Sequence, residues 1–191
     1  QFIEQLKVLE SQYDELFNCV YYDHYENFME SLRNKECDKA DYSYLDYMYY
    51  GHLLESLKKY DDAVVQYEKA VKMDPTKTDL FKNISSAYEQ KNDYKKAISA
   101  YQKYYASLDK EKQTPDLQFQ FGRLYYGAGT QPDSLVITVE ERKQALMSAD
   151  STFHAIAEAA PDSYLGNFWR ARANSALDPE TTQGLAKPFY E

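Results

Sequence analysis

Cys19 and His24 lie five residues apart. On one helical neighbourhood they could set a thiol beside an imidazole, the pairing that nucleophilic catalysis uses. That chemistry also needs a third group to orient the imidazole, and nothing near them supplies one. A buried thiol and a surface imidazole account for both residues. His52 and His154 lie far from each other and from either cysteine, so no histidine has metal-ligand spacing. The separation of Cys19 from Cys37 matches no metal site. They either pair in an oxidising compartment or stay as buried thiols. The chain has no glycine-rich phosphate loop, nucleophile elbow or HExxH helix. The acidic pairs Asp61-Asp62 and Glu140-Glu141 fall at predicted helix starts, where negative charge suits the helix dipole. No enzyme activity, cofactor or metal is expected from this pattern.

The elements that would position any site are helical. The 191 residues are 43% hydrophobic, enough to build a core. Twenty tyrosines supply large apolar faces with a polar tip, which suits half-buried helix interfaces. A formal charge of −9 disfavours nucleic acid as a partner. No apolar run is long enough to span a membrane. The chain begins with Gln1 and shows no signal peptide, so it reads as a piece of a longer protein.

The organising feature is an internal repeat. Tyr60, Ala63, Tyr67 and Ala70 recur as Tyr94, Ala97, Tyr101 and Tyr104, an offset of 94 − 60 = 34. Gly51 and Ala63 read as the small residues where two antiparallel helices cross, with Ser85 and Ala97 in the same places of the next unit. A larger side chain there would overpack the crossing by about 1–3 kcal/mol. Pro75 stops a second helix, because its ring clashes with the preceding turn. Asp93 is a predicted N-cap. A third unit carries Leu117, Phe121, Gly122 and Tyr125, then Ala149, Phe153, Ile156 and Pro161. Gly122 and Ala149 stand 27 positions apart where the pattern expects about 12. An insert is therefore expected at about 127–141, breaking the helix at Gly127-Ala-Gly-Thr-Gln-Pro132 and less ordered than the helices. The resulting organisation is a degenerate helical pair over 1–40, then units over 41–77, 78–113, 114–162 and 163–191. The second helix of the last unit is expected from Ala186 onward.

A period of 34 with these anchors resembles the tetratricopeptide repeat (TPR) superfamily. The resemblance covers residues from about 44 to 191. It implies an all-α, right-handed superhelical array of antiparallel helix pairs. The segments Ala160-Pro-Asp-Ser-Tyr-Leu-Gly-Asn-Phe-Trp169 and Leu177-Asp-Pro-Glu-Thr181 are similar to long exported TPR proteins of Bacteroidetes-type bacteria with no assigned activity. That narrower likeness implies a periplasmic or cell-envelope setting.

In such arrays the first helix of each pair lines a concave groove. The resemblance puts Met48, His52 and Glu55 there from the first clear unit, Lys82, Ser86 and Glu89 from the second, and Phe119, Arg123 and Tyr126 from the third. The expected function is a non-enzymatic scaffold that binds a peptide or helix of a partner protein in this groove. The alternative is a spacer or self-association module in a larger envelope protein, with these residues a solvated face. The carboxylate clamp of chaperone-binding relatives is absent as a set, since Met48, His52, Ser86, Asp116 and Gln120 hold most of its slots. Arg170 and Arg172 flank Ala171 beside Trp169. One of them could enter the groove while the other pairs with a carboxylate, and the spacing leaves open which. The cluster Tyr42, Tyr44, Tyr47, Tyr49 and Tyr50 reads as core and inter-repeat packing, with about two rings left over, because base stacking also needs a positive groove.

Overall fold

The computed structural model of the chain describes residues 43–131 and 137–189. The expected pair over 1–40, with Cys19, His24 and Cys37, lies outside the described residues, as does most of the connection after Pro132. The chain divides into two compact units after Lys77.

Over its described residues the first unit is one helix hairpin, α1 (Tyr44–Ser56) and α2 (Tyr60–Met73). Asp46 starts α1 by accepting from Ser43 N–H and Oγ at 2.8 and 2.7 Å, which satisfies donors the first turn leaves free. The turn runs Leu57-Lys58-Lys59, with Lys58 at φ 58°. Lys58 N–H donates to Glu55 O, and Lys59 N–H to Leu54 O, capping the last carbonyls of α1. So short a turn makes the helices antiparallel neighbours. They cross at Gly51, where an added Cβ would lie 2.5 Å from the Tyr67 ring. Ala63, Tyr67 and Ala70 are fully buried in this hairpin. After α2, Asp74 accepts from Thr76 N–H and Oγ1 and shapes the exit through Pro75.

The second unit holds α3 (Leu80–Gln90), α4 (Tyr94–Ser107), α5 (Pro115–Gly129), α6 (Val139–Ala159) and α7 (Tyr164–Leu177). Each helix packs on the next in order. Single 3-10 turns follow α4 at Lys110–Lys112 and close the described chain at Lys187–Phe189. Among the described residues there is no strand, so the fold class is all-α, as expected. The α3–α4 turn repeats the first one a full period later, with Asn92 at φ 60° in place of Lys58. Asp93 then caps α4 by accepting from Lys96 N–H. Ser85 sits at this crossing and donates to the Ala97 carbonyl at 2.8 Å, so a buried hydroxyl replaces the glycine of the first unit. At the third crossing, a Cβ on Gly122 would meet the fully buried Phe153 ring at 2.7 Å.

Two expectations differ from the structure. The break within the third pair is narrower than the expected 127–141, running from 130 to 138. α5 continues to Gly129, and α6 begins at Val139, capped by Thr138 and Glu141. The glycines read as breakers are sites of close approach. A Cβ on Gly127 would lie 2.4 Å from the Tyr94 ring, and one on Gly129 2.4 Å from Leu146. The C-terminal stretch from Ala186 is also not an α-helix over its described residues. Asp178 gathers N–H groups of Thr182, Gln183 and Gly184 onto its carboxylate, and this turns the chain before a helix can start.

Candidate functional site

The predicted groove residues of α1 are held by their own hairpin. Tyr67 of α2 donates its hydroxyl to Glu55 Oε2 at 2.8 Å, and its oxygen lies 3.0 Å from His52 Nδ1. The His52 and Tyr67 rings meet edge to face at 5.3 Å. Burial pushes the Tyr67 phenol far above its ordinary value, and the Glu55 carboxylate reinforces that shift. Burial also holds the His52 imidazole below 6.5, against the pull of Glu55. Met48 is half-buried. The tyrosines of this helix, Tyr44, Tyr47, Tyr49 and Tyr50, are all half-buried, so no stacking platform stands free among them. Lysines cover two of these rings, Lys77 over Tyr44 and Lys69 over Tyr47.

In the second unit, Lys82 of α3 is exposed and Ser86 half-buried. Glu89 of α3 reaches Arg123 of α5 at 3.7 Å, which brings these two predicted residues together. Arg123 also donates to Gln120, one turn back on α5, at 3.4 Å. Phe119 is only partly available. It packs against Phe153 at 5.7 Å and Trp169 at 5.6 Å, in the core cluster of Ala149, Phe153, Ile156 and Ala173. Tyr126 meets Trp169 edge to face at 5.4 Å. The predicted α5 residues therefore abut α7, which the groove assignment had left out.

The two arginines of α7 divide the roles that the sequence left open. Arg170 is paired: its Nε donates to Asp150 at 3.0 Å, Nη1 lies 3.0 Å from His154 Nδ1, and Phe189 stacks on the guanidinium. Asn174 donates to the same Asp150 oxygen at 2.8 Å and completes that network. Arg172 is exposed and lies over the rings of Trp169 (4.8 Å), Tyr126 (5.3 Å) and Phe168 (5.9 Å). Tyr164 and Phe168 continue the aromatic row and are 77% and 44% exposed. Sequence reasoning missed Tyr164, Phe168 and Arg172 as one set. The signal was their spacing of four residues, which puts them on one helix face.

Chemically, this surface offers aromatic faces and cationic donors. Among the described residues no group of His, Cys, Asp and Glu could hold a metal ion. An open hollow lies beside Met147, Leu177 and Leu185, and the Asp150 carboxylate on its wall is already taken by Arg170 and Asn174. No described helix is long and apolar enough to cross a membrane.

Residues 47–77 and 81–106 match the tetratricopeptide repeat family. A crystal structure of the C-terminal part of a TPR repeat-containing protein from Cytophaga hutchinsonii is similar at 27% identity and a TM-score of 0.58. That match covers 98% of this chain and 70% of the other. No curated protein matches the chain.

Proposed function

We propose that this chain, which matches the tetratricopeptide repeat family over residues 47–77 and 81–106, is a scaffold that holds a peptide or helix of a partner protein on the α3–α5–α7 face of its second unit. Repeats of this kind generally mediate protein–protein interaction, which sets the class of function. The observation that carries the finer reading is the exposed aromatic row of α7. Large apolar rings at this exposure are more than a scattered surface residue. Tyrosine, tryptophan and arginine are also the types enriched where interfaces concentrate their energy. The α1 residues of the sequence-based groove fit less well, because His52 and Glu55 are engaged with Tyr67.

The test is affinity capture from the native host with the full-length chain as bait, wild type against Phe168→Ala and Tyr126→Ala. Specific partners that both variants lose support the reading. A partner set unchanged in both variants removes this face from consideration. If the chain instead sediments as a dimer that Phe168→Ala dissociates, the face serves self-association. The likeness to exported relatives supports a periplasmic or cell-envelope setting, which fractionation of the host checks.

A further inference from the structure

We infer that this face reads a carboxylate on the partner, and that Arg172 is the residue that reads it. The inference rests on the peptide-holding reading above and goes on to specify the partner's chemistry. Three aromatic rings have their centroids within 6 Å of the Arg172 guanidinium carbon and hold the side chain at this face. Ring contacts of this kind form no hydrogen bond to an oxygen acceptor, so the guanidinium's planar fork of donors is still available to one. Among the described residues none accepts a hydrogen bond from Arg172 or forms an ion pair with it. Its neighbour Arg170 shows the ordinary alternative, with its donors spent on Asp150 and His154. These ring contacts restrict the long side chain of Arg172, so less freedom is lost when a carboxylate binds its fork.

The apolar half of the recognition lies beside it. Tyr164, Phe168 and Arg172 follow at intervals of four along α7, so the exposed rings lead up to the guanidinium on one helix face. The segment that fits carries an aromatic or aliphatic side chain for Phe168 and Tyr164, and an Asp, a Glu or a chain-terminal carboxylate for Arg172. A cationic segment fits less well. The cage of rings that would receive it already holds Arg172, which would have to be displaced.

The test selects binders from random dodecapeptides, in one library displayed with free N-termini and one with free C-termini. The bait is the full chain, as wild type, Arg172→Gln and Arg172→Lys, with equal thermal midpoints confirming folding. Wild type is expected to enrich apolar residues together with Asp or Glu in the first library, or with a terminal carboxylate in the second. Arg172→Gln is expected to lose the acidic enrichment about ten-fold and keep the apolar one. Arg172→Lys recovers only part, because an ammonium is a point charge without the fork. Trp169 is the sole tryptophan and touches the guanidinium, so its emission reports binding of a selected peptide directly. That affinity should fall with added salt and lose its dependence on the peptide's carboxylate in Arg172→Gln. Apolar enrichment with no acidic preference, equal acidic enrichment in Arg172→Gln, or enrichment of Lys and Arg overturns the assignment and leaves the peptide-holding face standing. No enrichment by any bait overturns both.

Discussion

The α1–α2 hairpin and the α5–α6 pair solve one packing problem with different chemistry. Each closes on a glycine that admits a fully buried ring, Gly51 under Tyr67 and Gly122 under Phe153. The connection is three residues in the first and runs from 130 to 138 in the second, yet both pairs have a glycine against a ring. The glycine–ring fit therefore sets the geometry, and connector length is free to vary. The rings differ in one atom. The hydroxyl of Tyr67 reaches through the hairpin and ties down Glu55 and His52. Phe153 has no such handle and packs by apolar contact alone, among them the rings of Phe119 and Trp169. One first-helix face is thus satisfied by its own hairpin, while the other is aromatic and packs against Trp169 of α7.

The largest effect tests the shared half of this comparison. Phe153→Ala should destabilise the second unit by about 3–5 kcal/mol, since it deletes a fully buried ring at a glycine crossing. Trp169 stacks on Phe153 at 5.4 Å, so its emission follows the loss in a denaturant titration. Gly122→Ala should cost less, about 1–3 kcal/mol, through overpacking against the same ring. If Gly122→Ala instead stabilises α5, as helix propensity alone would have it, the crossing is looser than its geometry and the comparison fails.

That crossing was legible in the sequence, because Gly51, Ala63 and Tyr67 are bound by one contact and recur with it. The break in the third pair was legible in place, but about three residues too wide at each end. Gly127 and Gly129 carry the composition of a turn, but close approach to Tyr94 and Leu146 requires them inside α5. Only the positions of other helices distinguish these two uses of glycine. The candidate face was half legible for the same reason. Phe119, Arg123 and Tyr126 follow from the family resemblance, whereas the division of labour between Arg170 and Arg172 depends on where Asp150 stands across the α6–α7 interface.

The contrasting half is tested by Tyr67→Phe, which makes the first hairpin resemble the third. Removing the hydroxyl should cost about 1 kcal/mol, the usual net worth of a hydrogen bond, because the glycine–ring fit survives. Hydrogen exchange at the α2 amides measures it. A loss as large as that of Phe153→Ala would show that the polar handle, not the ring, holds the hairpin. The same network predicts a pH dependence. The folded imidazole of His52 resists protonation while the unfolded one titrates at its ordinary value. Stability of the first hairpin is therefore full above about pH 6.5 and declines as pH falls through that value toward the folded one. His52→Gln should flatten this decline.

The last long helix of each unit also ends on an aspartate followed by proline, and these two ends should part in acid. Asp74 is depressed below its ordinary value by hydrogen bonds from Thr76. Burial pulls Asp178 upward, but N–H groups of Gln183, Gly184 and Leu185 and the Thr182 hydroxyl outweigh it, so it too is depressed. Both carboxylates therefore stabilise their turns above the ordinary carboxylate range, and the effect is lost as pH falls through the folded values. Asp178 organises more of the backbone. Asp178→Asn at neutral pH should accordingly raise hydrogen exchange at Gln183 and Gly184, whereas Asp74→Asn should change only Thr76. Unchanged exchange at Gly184 would remove Asp178 as the organiser of that turn.

The smallest effect separates two turns that are otherwise alike. Lys58 and Asn92 occupy the same left-handed position in successive repeats, each donating its N–H to a carbonyl of the preceding helix. A residue with a Cβ carries a penalty of about 1–2 kcal/mol in this conformation, which asparagine offsets in part and lysine does not. Glycine removes the penalty but gives the unfolded chain more freedom, worth about 0.5–1 kcal/mol. Lys58→Gly should thus stabilise the first hairpin by about 0.5–1 kcal/mol, and Asn92→Gly should leave the second unit nearly unchanged. Amide exchange in α2 and α4 reads the two effects separately. Equal gains at both positions would mean that the side chain is immaterial to the turn. The sequence difference between the repeats would then carry no energetic meaning at that point.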